Sequence, residues 1–134
     1  MNAKNVGYWI TTILIVLAMG SGGYFEVIRE PSVVKGMREL GYPDYFTMTL
    51  GVWKILAVVA LLSPGLPRLK EWAYAGILFD LSGAMVSHIV HRDNAMHIIT
   101  PAVICVISLI SWALRPPSRR LGTIIGSAQH GAID

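Results

Sequence analysis

The chain has 134 residues, of which 54% are hydrophobic and 14% charged, and its mean hydropathy is +0.56. A water-soluble domain of this size carries about a quarter charged residues, and here the apolar residues fall in blocks, so the composition excludes an ordinary soluble protein and points to a single membrane-embedded domain. The net charge of +3 comes without a basic, aromatic-interleaved patch, which excludes a nucleic-acid partner, and the single Cys105 cannot form an intrachain disulfide.

The first apolar block, residues 6–25, is too long for a signal-peptide core. It can cross a hydrocarbon layer of ~30 Å at ~1.5 Å per residue, and we read it as a retained span. Its run Gly20-Ser21-Gly22-Gly23 permits close approach of neighbouring helices, and Glu26 closes the block at the water boundary. In the following connection, residues 30–44, Pro31 suits a first helical position and Val33, Met37 and Leu40 share one face. Gly41 and Pro43 supply the stop, so a short amphipathic helix at the interface is expected.

The second block, 45–62, carries Lys54 close to its middle and ends in Ser63-Pro64-Gly65 and Pro67. Arg68-Leu69-Lys70 is expected as a basic loop. The third block, 72–90, carries Asp80 near its midpoint. A carboxylate at that depth costs roughly 2.5 to 3.5 kcal/mol on insertion scales and is expected to turn toward protein. At ~100° per residue, Gly76, Asp80, Gly83, Ser87 and His91 fall on one side, expected to face inward. Ile77, Leu78, Leu81, Met85 and Ile89 are expected on the opposite, lipid-facing side. After the turn His91-Arg92-Asp93-Asn94 comes a fourth block, 96–114, with Pro101 in its first turns, where a missing N–H is tolerated. Residues 115–134 are expected to form a mobile polar tail.

The predicted fold class is therefore all-α, an integral membrane four-helix bundle with a short interfacial helix between helices 1 and 2. Four crossings put both termini on one side, together with Lys4, Arg68, Lys70, Arg115, Arg119 and Arg120. The other side holds Arg29, Lys35, Arg38 and Arg92, and the imbalance predicts cytoplasmic termini.

Two constellations can carry chemistry. In antiparallel helices Lys54 and Asp80 lie at similar depth, each ~12 to 14 Å from its helix start, where an ammonium and a carboxylate can neutralise each other. Such a pair is either a buried ion pair that sets helix register or an acid–base pair in a polar pocket. The second constellation is His88, His91 and His97 with Glu26 and Asp93. His88 and His91, three apart on a helix, can present two imidazoles to one ion, but histidines at a helix end also simply bond water, and no metal is assigned. The expected catalytic set is Asp80, Lys54, His88 and Glu26, lining one intramembrane pocket that opens toward Glu26. Gly20, Gly22, Gly23, Gly76 and Gly83 are expected to leave room in it, and Tyr24, Trp53, Tyr74 and Phe79 to supply walls.

Residues 41–93, and more loosely 6–114, resemble the DoxX-like family of small bacterial integral membrane proteins. The resemblance rests on G-x-W-K at Gly51 to Lys54, R-L-K-E-W-A-Y-A-G from Arg68, and F-D-L-x-G-A-x-x-S-H from Phe79 to His88. It implies a four-helix bundle in the bacterial cytoplasmic membrane and a link to quinone-coupled redox chemistry, after relatives associated with thiosulfate:quinone oxidation. The chain itself shows no cysteine pair, haem motif or flavin fingerprint, so no cofactor is identified and a quinone enters only as a ligand.

Three functions of different classes follow. One is a pocket for a small lipophilic, quinone-like molecule, accessory to redox chemistry performed by a partner protein. A second is a cofactor-independent acid–base enzyme, such as an isomerase, epoxide-opening enzyme or cyclase, acting on a lipophilic substrate. The third is a structural or transport subunit whose buried charges serve packing or a proton path, and a homo-oligomer could build the transporter that four helices alone are too few for. The lipid bilayer is a partner in all three.

Overall fold

The structure, a computed structural model, describes residues 2–121. The described residues form five α-helices and no strand: α1 (Ala3–Val27), α2 (Pro31–Glu39), α3 (Asp44–Leu62), α4 (Pro67–Val90) and α5 (Ala95–Leu114). A short 3-10 turn, Pro117–Arg119, follows. Side-chain caps start several of these helices. The Asn2 side chain accepts from the Asn5 amide, Glu30 from the Val33 amide and Asn94 from the Met96 amide. Hydrogen bonds from the Ser32 hydroxyl and the Val33 amide hold the Glu30 carboxyl below the usual carboxylate range.

α4 begins five residues before the block expected from hydropathy, so Arg68-Leu69-Lys70 is its first turn and not a loop. Pro67 stands at the start of the helix, where its lost N–H is harmless. Lys70 is fully buried, and its Nζ donates to the Ser63 carbonyl and, at 2.7 Å, to the Gly65 carbonyl. The ammonium thus satisfies carbonyls at the end of α3, which is why Lys70 is drawn into the bundle while Arg68 stays exposed.

α1, α3, α4 and α5 pack as a ring in which α1 touches α3 and α5, and α4 touches α5 and α3. The α3–α4 seam is the loosest of the four. The core consists of Ile15, Met19, Ala60, Leu61, Ala73, Tyr74, Ile77 and Leu81. Each of the four long helices is long and apolar enough to cross a bilayer. Their outer faces expose Ile10, Leu17, Leu56, Val86 and Val106, an apolar belt that suits acyl chains and would be a liability in water. The molecule is an integral membrane protein, with the α1 start and the α5 end adjacent, as the contact of Gly7 with Leu114 shows.

Three expectations are corrected by the packing. On α4 the buried stripe is Ala73, Tyr74, Ile77 and Leu81, whereas Gly76 and Gly83 are exposed and Asp80 and Ser87 sit half-buried at the edge. Large side chains gain dispersion contacts in the core that glycine cannot make, so the small polar face borders open space between the helices instead. The tail is also ordered at its start. Arg115 is buried, pairs with Glu71 at 2.6 Å and lies over the Tyr74 and Trp112 rings. Arg119 donates to the Leu61 carbonyl at 2.8 Å and stands 4.8 Å over Trp9. Residues 122–134 of the expected tail lie outside the described residues. Finally, Pro101 stands beyond the first turn of α5 and is buried, so the His97 carbonyl lacks its helical donor.

Candidate functional site: an intramembrane carboxylate–lysine cluster

The site is built on two glycines. A Cβ on Gly23 would stand 2.9 Å from the Gly51 carbonyl oxygen, and one on Gly51 would stand 2.8 Å from the Gly23 oxygen. Only glycine lets the α1 and α3 backbones approach so closely. Gly23 also touches the stem of Lys54, and Glu26 lies over Gly51, so the approach brings these two side chains together. Lys54 Nζ donates to Glu26 Oε1 at 2.6 Å and lies 3.6 Å from Asp80 Oδ2. The three side chains are only 9% (Glu26), 17% (Lys54) and 19% (Asp80) exposed, so none is solvated like a surface charge. One ammonium thus stands between two carboxylates, one charge short of neutral when all three are ionised. The second Glu26 oxygen, Oε2, is buried and has no hydrogen-bond partner among the described residues.

A cavity of about 590 Å³ opens beside this cluster, lined by all five helices and the α2–α3 connection. Glu26, Lys54, Asp80 and His88 all border it, and its apolar walls include Met37, Phe46, Leu50, Phe79 and Ile104. Lys54 and Asp80 also border a second cleft of about 390 Å³ in the α3–α4 seam, walled by Trp53, Trp72 and Ile77. Gly76 and Gly83 meet nothing where a Cβ would stand and leave room at the two cavities. Gly23 leaves no room, because its space is taken by α3. Of the aromatic walls expected from the sequence, Phe79 and Trp53 line cavities. Tyr24 is exposed, and Tyr74 is buried elsewhere.

The histidines divide differently from their spacing. His88 Nδ1 lies 2.6 Å from Asp93 Oδ2, and its ring stands 5.3 Å from that of His97. His91 turns away to the Ser87 carbonyl at 3.0 Å. The hydrogen bond from His88 and the neighbouring imidazole charges hold the Asp93 carboxyl below the usual carboxylate range.

Two polar groupings escaped the sequence reading. Tyr42, from the α2–α3 connection, bonds Ser87 Oγ at 2.6 Å and stacks on Phe46, and all three line the larger cavity. Toward the termini, Ser111 Oγ bonds both Thr12 Oγ1 at 2.8 Å and the Tyr74 hydroxyl at 2.7 Å, in a fully buried link between α1, α4 and α5. The available signal was only that hydroxyl residues sat inside apolar blocks, which cannot say who their partners are.

Comparison with known proteins bears on the whole arrangement. No curated protein and no solved structure matches the chain. Residues 10–111 match the family described as DoxX-like, a stretch that contains every helix of the ring in full or large part and all of Glu26, Lys54, Asp80 and His88. This chain belongs to the DoxX-like family.

Proposed function

We propose that the cavity beside Glu26, Lys54 and Asp80 binds a small lipophilic molecule with a polar, quinone-like head, and that the protein is accessory to redox chemistry carried out by a partner. The observation that carries this reading is the pairing of a charged, largely buried cluster with an apolar-walled cavity. Ligand sites combine apolar walls with a few convergent polar groups in this way. Lys54 supplies a donor for a ligand oxygen, and the unpartnered Glu26 Oε2 an acceptor for a ligand hydroxyl. The charge count favours a second reading, a cofactor-independent acid–base enzyme. A proton taken up by the cluster neutralises it, and a carboxyl shared with Lys54 can return that proton to a substrate.

The test is saturable binding of decyl-benzoquinone to the purified protein in micelles, followed by quenching of tryptophan fluorescence. Wild type is expected to bind, with Asp80→Asn and Glu26→Gln weakened about tenfold or more, ~1.4 kcal/mol. Folded variants that bind the probe like wild type would show that these polar groups are not the site. We further place the protein in the bacterial cytoplasmic membrane with cytoplasmic termini. This is supported by the larger set of basic residues at the end formed by Lys4, Arg68, Lys70, Arg115, Arg119 and Arg120, against Arg29, Lys35, Arg38 and Arg92 at the other.

A further inference from the structure

We propose a divalent transition-metal site at the α4–α5 hairpin, formed by His88, Asp93 and His97. One ligand atom from each residue lies within 4.8 Å of those of the other two, close enough for small side-chain movements to bring all three onto one ion. The backbone builds this gathering. Arg92 adopts φ 56, in the left-handed region that non-glycine residues rarely adopt. In return its amide bonds the Ile89 carbonyl and the Asp93 amide bonds the His88 carbonyl at 3.0 Å, which ends α4 and sets the Asp93 side chain against His88. Asn94 then caps α5, whose first turn carries His97 up to the same place.

The donor set selects the ion. Two imidazoles and one carboxylate suit first-row transition metals and zinc, whereas magnesium and calcium take oxygen donors. In the metal-free protein His88 Nδ1 and Asp93 Oδ2 share a hydrogen bond, so metal entry through that nitrogen requires the neutral imidazole to carry its proton on Nε2. Three protein ligands leave further coordination positions for water or a ligand oxygen. His88 and His97 both border the larger cavity, so an ion held here stands on its wall. The pair His88 and His91, which the sequence spacing offers, is not the site, because the ligand atoms that converge within 4.8 Å belong to His88, Asp93 and His97 and not to His91.

Titration of the purified, EDTA-treated protein with Co²⁺, read by visible d–d absorption, and with Zn²⁺, read by the rise in melting temperature, tests the assignment. One equivalent is expected to bind. His97→Ala is expected to weaken binding at least ~100-fold, the upper end of what losing a mere hydrogen-bond partner of a ligand costs. His97 is exposed, and the metal-free melting temperature of this variant is expected to match wild type. His91→Ala is expected to bind like wild type. Failure of wild type to take up one equivalent, unchanged binding by His97→Ala, or an equal loss in His91→Ala would each overturn the site.

Discussion

Lys54 is the residue on which the intramembrane charges depend. Two unit charges ~4 Å apart interact by ~4 kcal/mol at an effective dielectric of 20, so removing the ammonium turns two attractions into one carboxylate–carboxylate repulsion. Lys54→Met is expected to destabilise by about 3 to 5 kcal/mol, the cost of orphaning a buried charge. The partners are not equivalent, since Glu26 is nearer at 2.6 Å and less exposed than Asp80 at 3.6 Å. Adding Glu26→Gln to Lys54→Met should therefore restore more stability than adding Asp80→Leu. Double-mutant cycles in a reversible micellar unfolding assay check this. Simple additivity, or equal recovery from both second changes, would count against the unequal triad.

At the scale of helices, glycine plays two opposite parts. Gly23 and Gly51 carry the α1–α3 contact, where an added methyl group would meet backbone oxygen at 2.9 and 2.8 Å. Backbone cannot rotate away as a side chain can, so Gly51→Ala is expected to cost roughly 1 to 3 kcal/mol. Gly76 and Gly83 have open space at the same position, and Gly83→Ala should leave stability unchanged. Melting curves of the two variants, collected side by side, make the comparison. A Gly83→Ala loss as large as that of Gly51→Ala would show that α4 packs more tightly than described.

For the whole molecule, the ring puts α2, Glu26 and the histidine turn at one end and the start of α1 and the end of α5 at the other. If the basic residues near the termini set the topology, α2 faces outward. In a Cys105→Ser background, Lys35→Cys is expected to react with a membrane-impermeant maleimide in intact cells, and Ser118→Cys only after permeabilisation. Both positions are exposed in the fold. The reverse labelling pattern would invert the orientation and place the larger cavity toward the cytoplasm.

The sequence by itself determined the spans, the short helix and the matched depth of Lys54 and Asp80. Hydropathy, breakers and rise per residue are local properties, read within one block. Tertiary structure decided what those local rules leave open. Glu26, 28 residues before Lys54, becomes its nearest partner only because two glycines on different helices meet. His97 replaces His91 beside His88 because a left-handed residue at 92 folds the hairpin back. The sharpest case is α4, where the face expected inward borders open space between the helices and Ile77 and Leu81 fill the core. A helical wheel shows which residues share a face. In water, polarity then says which face is out; in a bilayer the surroundings and the core are both apolar, so only packing against the neighbouring helices can choose.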